Sequence, residues 1–500
     1  MTSRPASQVM SPEAATSRYR TLPRTTYDLV TLGGGSAGLT AARLARALHA
    51  SVALIDREKL GGECLYTGCV PSKALLHVAR VAAAIRQSGA LGLRATVEST
   101  DLSAVMDYAE RAIDAVYEES DAPEHLVALG VDIAFGEARF ISPRALIVNG
   151  QIVTARRILI ATGSHPAIPD IPGLHETGFV TNETVFAMRS LPARLAVIGG
   201  GPVGCELGQA FARIGSQVTL LQRSARLLPK DEPEASAILH NRLASEGVTI
   251  ALRAEVLQVT RSAGGIVLSV REGDGARDVI VDAILVATGR APNVADLGLK
   301  AGGIQYDARR GVDVDAFLRT TNPRVYAAGD VTGGYHFTHA AALDARVAVR
   351  NALFPGKTRL DTRAMPWATF TEPEIAHVGL TEEEARRHYG AGVQSAVQPY
   401  SGVDRAITDG ATPGFVKLVH SASGNLLGAQ IVGPRAGDNI NELALAIAHR
   451  FTIAQIAAAT HVYPTFALAI QQAAGNFTMR HTARSATIGL LLRIGRWARP

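Results

Sequence analysis

The amino-acid sequence predicts an α/β protein with two doubly wound domains followed by a smaller α+β domain. Three observations predict this fold: a glycine-rich strand–turn–helix motif that occurs twice, two apolar strands that end in Ala-Thr-Gly, and a change of texture near residue 361. The chain has 500 residues, too many for one compact core. Its hydrophobic fraction of 47% and its 48 glycines suit α/β architecture.

The glycine motif is an internal repeat. Each copy reads strand, glycine turn, helix and strand, over residues 27–55 and again over residues 195–221. Glycine lets the backbone turn tightly and approach a pyrophosphate, whose charge then lies at a helix N-terminus. One such motif is weak support, but two in register favour two Rossmann-like dinucleotide-binding units. The repeated glycines are Gly33, Gly35 and Gly38 in the first copy and Gly199, Gly201 and Gly204 in the second.

Further apolar segments extend this pattern. Strands over residues 158–163 and 284–289 each end in Ala-Thr-Gly and are predicted to return to the first and second unit. A strand over residues 325–331 contains Gly329-Asp330. Downstream, two strands (416–419 and 426–433) and a helix (440–449) predict a separate α+β domain.

Residues 60–73 read LGGECLYTGCVPSK and carry a cysteine pair, Cys64 and Cys69. Pro71 opens a predicted helix over residues 72–87, so Cys69 lies at a helix N-terminus, where the dipole and free N–H groups favour a thiolate. A zinc site is the competing interpretation, but zinc needs four ligands and no second Cys/His pair follows at suitable spacing. The pattern predicts a redox-active pair beside a dinucleotide and no metal site.

Composition excludes several classes of protein. Three cysteines in the whole chain argue against a secreted disulfide scaffold and for a reducing, cytoplasmic compartment. No long basic run with interleaved aromatics occurs, so nucleic-acid binding is not expected. The sequence contains no run of 18 uncharged apolar residues, so no membrane span is expected. Residues 481–500 combine arginines with apolar residues, which leaves two alternatives: an amphipathic helix on an anionic membrane, or a solvated or dimer-packed helix.

From residue 27 to residue 474 the chain resembles the class I pyridine nucleotide–disulfide oxidoreductases, which include glutathione reductase, dihydrolipoamide dehydrogenase and mercuric reductase. The motifs that carry the resemblance are GGECLYTGCVPSK, both glycine turns, ATGRAPN, AAGDV and FTEPEIAHVGLTEEEA. The resemblance implies FAD in the first unit, a nicotinamide coenzyme in the second, and a homodimer in which the partner's C-terminal domain completes each active site. The implied division is a disordered lead-in (1–24), an FAD-binding domain in two parts (25–170 and 291–361), an NAD(P)-binding domain (171–290), a dimerisation domain (362–480) and a basic tail (481–500).

The resemblance also implies residue roles. Gly33, Gly35 and Gly38 would lie under the FAD pyrophosphate, Asp56 would hold the adenosine ribose, and Asp330 would contact the ribityl chain. Cys64 would exchange with the acceptor, and Cys69 would lie against the flavin as a thiolate. Lys73 would pair with Glu206 near the flavin's reactive nitrogen; a solvated lysine is the alternative. The remaining predicted cofactor contacts are Gly62, Thr162 and Gly163 for FAD and Gly199, Gly201, Gly204 and Gly289 for the coenzyme.

Charge at the end of the second repeat predicts the coenzyme. The position that holds Asp56 in the first unit is Gln222 in the second, and Arg223 and Arg226 follow it. An acidic residue there binds the ribose 2′-OH of NAD, whereas its loss together with added arginines suits a 2′-phosphate. The sequence therefore predicts NADPH, with NADH as the alternative.

One segment departs from the family. Tyr463 stands where glutathione reductase and dihydrolipoamide dehydrogenase have a catalytic His, and Leu468 stands where they have its Glu partner. Tyr is a poor base at neutral pH; His461 is the alternative acid–base. Mercuric reductases share the Tyr, but no cysteine follows Cys205 to deliver metal. We expect a mercuric-reductase-like flavoprotein whose acceptor is a metal ion, a small disulfide or a quinone. The alternatives are a dihydrolipoamide-type dehydrogenase and a slow flavin redox sensor.

Overall fold

The first domain is built on a seven-stranded sheet that is parallel at its centre. The computed structural model describes residues 10–273 and 275–483. The long strand Gln151–Ile160 pairs in parallel with Thr26–Leu32, and its last residues also pair with Val325–Ala327. The pairing with Thr26–Leu32 confirms that the first Ala-Thr-Gly strand returns to the first unit, and the strand that leads into AAGDV lies beside it in the same sheet. The parallel order is Asp132–Phe135, Val52–Asp56, Thr26–Leu32, Gln151–Ile160 and Val325–Ala327, and the strands Ala145–Val148 and Ala138–Ser142 extend the sheet in antiparallel fashion.

The second domain repeats this plan on a smaller scale. Its central strand, Arg194–Ile198, is flanked in parallel by Gln217–Gln222 and Ala283–Val286, so the second Ala-Thr-Gly strand returns as predicted. These strands are almost wholly buried because helices and a second sheet cover them, which explains their continuous apolar sequence. The outer strand is Thr249–Leu252, and the antiparallel sheet consists of Ala254–Ser262, Gly265–Glu272 and Gly275–Val281.

The third domain is a five-stranded antiparallel sheet with helices on it, as the sequence predicts. The strand Phe415–His420 is buried along its whole length. It lies inside the sheet, and the helix Leu468–Ala483 packs on it. Two short ribbons elsewhere pair Ser164–Pro166 with Arg290–Pro292 and Tyr306–Asp307 with Gly311–Val312. The five strands are, in order across the sheet, Pro366–Thr369, Glu374–Gly379, Leu426–Gly433, Phe415–His420 and Gln394–Pro399.

Helices fill the faces of these sheets. The helix Ser36–Ala47 follows the first glycine turn and packs against Thr338–Leu353, and Pro202–Ile214 follows the second turn. The other α-helices are Pro12–Arg18, Gly62–Tyr66, Cys69–Gln87, Leu102–Val116, Pro123–Ala128, Leu174–Thr177, Pro233–Ser245, Glu382–Tyr389, Asp404–Thr408, Ala436–Ala448, Ile453–Ala458 and Leu468–Ala483.

The expected disordered lead-in over residues 1–24 is wrong for the part that the structure describes. Pro12–Arg18 is a helix, with the Ser11 side chain accepting from the backbone N–H of Ala14. Ala15 is fully buried in the core of the first domain. This helix could not be predicted from the sequence, because seven residues are too few to show a helical periodicity and the helix is stabilised by packing.

The cysteine helix begins earlier than predicted, at Cys69 rather than at residue 72. Pro71 is thus its third residue, in the first turn, where a missing N–H costs no helical hydrogen bond. By length and mean hydropathy, Gly62–Leu91 is the one candidate membrane span among the described residues, which the sequence analysis did not expect. Core helices meet the same criteria, and this one packs against Leu102–Val116 and Pro202–Ile214.

The predicted tail over residues 481–500 falls mostly outside the described residues, which end at residue 483. The helix Leu468–Ala483 runs past the predicted domain end at residue 480. Both alternatives for the tail, an amphipathic helix on a membrane and a solvated or dimer-packed helix, therefore stay predictions.

Candidate active site

The three glycines of the first glycine turn have different steric roles. A Cβ on Gly33, whose φ is +105°, would lie 2.2 Å from the Ala161 carbonyl oxygen, and one on Gly38 would lie 1.8 Å from the Gly33 carbonyl oxygen. A Cβ on Gly35 would meet only the Gly62 Cα, at 3.7 Å. The first and third glycines therefore allow close packing. The second leaves a cradle at the N-terminus of the helix Ser36–Ala47, which has no side-chain cap and suits a pyrophosphate.

The second glycine turn has the same construction. A Cβ on Gly199 would lie 2.3 Å from the Ala287 carbonyl oxygen, and one on Gly204 would lie 1.9 Å from the Gly199 carbonyl oxygen. A Cβ on Gly201 would meet open space. Because the same three steric roles recur 166 positions later (199 minus 33), the internal repeat is one of structure as well as of sequence. Both cradles fit a dinucleotide.

The residues that close the two units also correspond. The Asp56 carboxylate accepts from the backbone N–H of Gly34 at 2.6 Å, and the Gln222 carbonyl oxygen accepts from that of Gly200 at 3.1 Å. Each side chain fixes its own glycine turn. Burial raises the pKa of Asp56 from its ordinary value, whereas Gln222 brings no charge to the second turn.

Two arginines stand beside the second turn. Arg223 is exposed, and Arg226 is half-buried. Arg226 donates through Nη2 to the Pro229 carbonyl oxygen at 2.8 Å, and its buried Nε has no hydrogen-bond partner among the described residues. Gln222 Nε2 donates to the Arg226 carbonyl oxygen at 3.3 Å, and a role of the two arginines in binding a 2′-phosphate stays a prediction.

The predicted cofactor contacts that follow the two Ala-Thr-Gly strands, Gly163 for FAD and Gly289 for the coenzyme, lie on loops. Gly163 and Gly289, with φ of +69° and +131°, would each direct a Cβ into open space, so both leave room for a ligand. Gly62, with φ of +62°, lies against Gly35, which brings the cysteine segment to the glycine cradle. Thr162 has a structural contact instead: its hydroxyl donates to the Asn293 carbonyl oxygen at 2.8 Å and so fixes the loop that contains Asn293.

Cys64 and Cys69 share one hydroxyl. Thr338 Oγ1 lies 3.0 Å from Cys64 Sγ and 3.6 Å from Cys69 Sγ, with Cys64 on the short helix Gly62–Tyr66 and Cys69 at the start of Cys69–Gln87. A side-chain hydrogen bond between the two thiols is the largest cause of opposite shifts in their pKa values. This bond, with Thr338 and the Lys73 charge, lowers the pKa of Cys69 to about 6, while it raises the pKa of Cys64. The pair is asymmetric, with the negative charge on Cys69.

We expect the reduced protein to keep the Cys69 thiolate above about pH 6 and to lose it as the pH falls through that value, because the pKa is lowered to about 6. Thr338→Val should move the transition to higher pH, since it removes a hydroxyl that contacts both sulfurs. The measurement is the pH dependence of thiolate absorbance in the ultraviolet. Thr321→Val, at an exposed position of the same domain, is the control and should leave the midpoint unchanged. A wild-type midpoint near the ordinary cysteine value would contradict the assignment.

Lys73 and Glu206 form the predicted ion pair. Lys73 Nζ lies 2.9 Å from Glu206 Oε2, and Glu206 Oε1 accepts from the backbone N–H of Phe370 at 2.8 Å. Lys73 Nζ also lies 4.5 Å from the centre of the Phe370 ring. A buried carboxylate of the second domain therefore fixes the cation one turn along the cysteine helix from Cys69.

A second charged network, which the sequence analysis missed, adjoins the cysteines. Glu63 forms an ion pair with Arg290, whose Nη1 lies 2.6 Å from Glu63 Oε1. Arg290 Nε lies 3.6 Å from Asp330, and Ser164 Oγ donates to Asp330 at 2.5 Å. Burial raises the pKa of Glu63 to about 7. Arg290 lies within the ATGRAPN segment, which was the only signal for it in the sequence. Asp330 belongs to this network, and its contact with the ribityl chain of FAD stays a prediction.

Tyr463 and His461 bind different carboxylates. Tyr463 is 65% exposed, and its hydroxyl donates to Asp404 Oδ2 at 2.9 Å, which raises the pKa of the phenol. His461 Nε2 lies 3.1 Å from both carboxylate oxygens of Glu442. The partners of the two side chains lie on two different helices, Asp404–Thr408 for Tyr463 and Ala436–Ala448 for His461.

Comparison with known proteins decides the family. The family model "Pyridine nucleotide-disulphide oxidoreductase" matches residues 27–345, and the model of the dimerisation domain of the same family matches residues 365–474. The chain belongs to the pyridine nucleotide–disulphide oxidoreductases. It is accordingly an FAD-binding, NAD(P)H-dependent flavoprotein oxidoreductase, and the dimerisation domain supports a homodimer.

The relatives within this family are of more than one kind. A mercuric reductase of Staphylococcus aureus is 36% identical over 453 residues, which cover 90% of this chain and 82% of the relative. A dihydrolipoyl dehydrogenase of Thermus scotoductus is 36% identical over 459 residues, covering 90% and 97%. Among solved structures, the Cu(II) complex of the HOCl-induced flavoprotein disulfide reductase RclA from Escherichia coli matches with a TM-score of 0.80 at 27% identity, covering 90% and 99%. The chain is mercuric-reductase-like, and its acceptor is not fixed by the comparisons.

Proposed function

We propose that the protein transfers electrons from NADPH to the Cys64–Cys69 pair and from there to a metal ion or a small disulfide. The observation that carries the proposal is the placement of both sulfurs against one hydroxyl, Thr338 Oγ1, one helical turn from the Lys73–Glu206 ion pair, with the pKa of Cys69 lowered and that of Cys64 raised. Bound FAD supplies the two-electron carrier between the nicotinamide and the sulfurs. The first glycine cradle, Asp56 and Asp330 would hold it, with Gly62 and Gly163 at its edge.

The chain's own residues account for the exchange with a disulfide acceptor. Proton transfer within the Cys64–Cys69 hydrogen bond gives a Cys64 thiolate, which attacks one sulfur of the acceptor and releases the first thiolate. The proton passes from Cys69 to that leaving group, and the Cys69 thiolate then attacks the Cys64 sulfur. The second thiolate leaves, and the Cys64–Cys69 disulfide forms, so two electrons and one proton have left the protein.

An acid–base residue from the C-terminal domain would assist this exchange. The Asp404 acceptor disfavours Tyr463 as a base because it raises the pKa of the phenol. We assign the role instead to His461, whose Nε2 lies 3.1 Å from both carboxylate oxygens of Glu442, so that Glu442 orients its ring. This substitution for the family's His–Glu pair separates the protein from dihydrolipoamide-type enzymes. The reducing cytoplasm is the compartment that suits a dithiol of this kind.

The cysteine count makes a direct test of the proposal. The chain has three cysteines, and Cys205 is fully buried and lies outside the pair. Thiols titrated after unfolding should therefore number one in the oxidised protein and three after anaerobic reduction with NADPH. Cys205→Ala should lower both counts by one. An unchanged count after NADPH reduction would rule out the proposed electron path.

Arg223→Glu should lower kcat/KM for NADPH by roughly 100-fold and change that for NADH less than about threefold, because a carboxylate repels the 2′-phosphate that only NADPH carries. Steady-state kinetics with both coenzymes measures the effect. Arg277→Glu, at an exposed position in the antiparallel sheet of the same domain, is the charge-matched control. Equal losses with both coenzymes would remove Arg223 from the phosphate site.

A further inference from the structure

Glu63 directly precedes the first cysteine of the pair, and its side chain joins two segments that lie far away in the sequence. Glu63 Oε1 accepts from Asn182 Nδ2 at 2.8 Å and from Arg290 Nη1 at 2.6 Å, and its Oε2 pairs with Arg290 Nη2. Resting on the proposed function, in which Cys64 attacks the acceptor, we propose that Glu63 is a positioning residue for Cys64. It fixes the short helix Gly62–Tyr66, which carries the attacking sulfur.

The backbone that leads into this short helix does little to fix it. Gly61 and Gly62 have φ of +112° and +62°, in the region that glycine adopts readily and other residues avoid. Because two successive glycines leave the entry to the helix conformationally free, the orientation of the helix depends on the contacts of its side chains. Glu63 makes the charged contacts among these.

Asn182 holds the other end of the same turn. Its Nδ2, which donates to Glu63, also donates to the Thr67 carbonyl oxygen at 3.3 Å. The Thr67 N–H in turn donates to the Glu63 carbonyl oxygen at 2.9 Å and so closes the last turn of the helix. One amide group therefore contacts the chain just before Cys64 and again three residues after it.

The groups that hold the helix are themselves fixed. Arg290 Nε donates to Ser164 Oγ at 2.7 Å, its Nη2 donates to the Ser164 carbonyl oxygen at 2.9 Å, and its side chain is only 15% exposed. Asn182 follows Val180, which forms a parallel β-bridge with Leu285 at the edge of the second domain's sheet. The short helix is thus tied to both connections between the first and second domains.

The position of Cys64 controls the second sulfur of the pair. Cys64 Sγ lies 3.0 Å from Thr338 Oγ1, and the hydrogen bond between the two thiols is the largest cause that lowers the pKa of Cys69 to about 6. If the short helix moved, this bond would lengthen and the pKa of Cys69 would rise. Glu63 thereby acts on the pair through the place that it gives to Cys64.

An effect of charge alone would have the opposite sign. Removing the Glu63 carboxylate takes a negative charge away from the cysteine segment, which by electrostatics lowers the pKa of a nearby thiol or leaves it unchanged. Loss of position raises it, so the direction of the shift separates the two. The titratable and charged groups involved are Arg290, Asp330 and Glu183 around Glu63, and Cys64, Lys73 and Glu206 around Cys69.

The test measures two properties of the reduced holoenzyme: the pH midpoint of the Cys69 thiolate, from its absorbance, and the rate of reoxidation by bis(2-hydroxyethyl) disulfide. In Glu63→Ala the midpoint should rise by at least about half a pH unit. Reoxidation should slow by at least about tenfold, because the attacking sulfur is displaced. Glu63→Gln keeps an accepting oxygen for Asn182 and should restore about half of both effects. Glu58→Ala, at an exposed position of the same segment, is the control and should change neither.

An uncharged variant tests the same point independently. Asn182→Ala removes the two amide contacts without a change of charge, and it should raise the midpoint less than Glu63→Ala does. An unchanged or lowered midpoint in Glu63→Ala would overturn the inference, and if that variant does not fold, an unchanged midpoint in Asn182→Ala would do so. Failure of NADPH to generate the two thiols would instead overturn the proposed function, since reduction with dithiothreitol still allows the midpoints to be compared.

Discussion

Cys64→Ser should lower acceptor turnover by at least about 1,000-fold and leave NADPH binding intact. Cys64 is the sulfur proposed to attack the acceptor, so serine in its place has no sulfur to form the mixed disulfide. The loss should appear in kcat, because the coenzyme site around Gln222 and Arg223 is on another domain. Steady-state turnover with a small disulfide, together with a binding titration of NADPH, measures both parts.

Cys205→Ala is the matched control for this substitution. Cys205 is fully buried in the second glycine turn's helix, and its thiol takes no part in the pair, so turnover should change less than about twofold beyond any change in stability. If Cys64→Ser kept a large share of wild-type turnover with a disulfide acceptor, the exchanging sulfur would have been assigned to the wrong residue.

Lys417→Met should cost about 3–5 kcal/mol of folding free energy. Lys417 Nζ lies 2.9 Å from Glu232, 3.0 Å from Glu234 and 2.9 Å from Glu382, and the Lys417 side chain is only 5% exposed. The lysine thereby joins the second domain to the C-terminal sheet. Without it, buried Glu232 would lose this partner and would face half-buried Glu382, which would keep only its ion pair with Arg386. Thermal unfolding at constant protein concentration should show a clear fall in Tm.

The ionisation of Glu382 makes the folding free energy contributed by this cluster depend on pH. Lys417 and Arg386 lower the pKa of Glu382 to about 2 from its ordinary 4.5, so the stabilisation is complete above pH 4.5 and is lost as the pH falls towards 2. In Lys417→Met this acid-dependent part should shrink. Lys300→Met, at an exposed turn, is the control and should be neutral. An equally small effect of both substitutions would show that the cluster does not stabilise the fold.

The sequence predicted those parts of the fold that have a local cause. The glycine turns need glycine at fixed spacing, so Gly33 and Gly199 could be located, and the structure gives each the same close contact with a strand carbonyl. The parallel strands could be located from their continuous apolar sequence, because both faces of these strands are covered in the fold. The Lys73–Glu206 pair was predicted from the family resemblance, and the structure contains it.

Contacts between distant segments could not be predicted in this way. Thr338 meets Cys64 across 274 positions, and Glu63 meets Arg290 across 227, and no spacing rule connects such residues. Likewise, Arg43 is an ordinary helix arginine in the sequence, and only the fold sets it against Asp121. The cysteine motif therefore predicted the redox chemistry of the site. It did not predict the distant polar and charged residues that contact the cysteine segment.

The most direct test of the central claim is an anaerobic titration of the purified flavoprotein with NADPH, followed through its visible spectrum. The account predicts a long-wavelength band from the Cys69 thiolate beside the flavin, with two electrons taken up per subunit, and the loss of this band in Cys69→Ser. Direct bleaching of the flavin in the wild type, without that band, would contradict the account, because the cysteines would then lie outside the electron path.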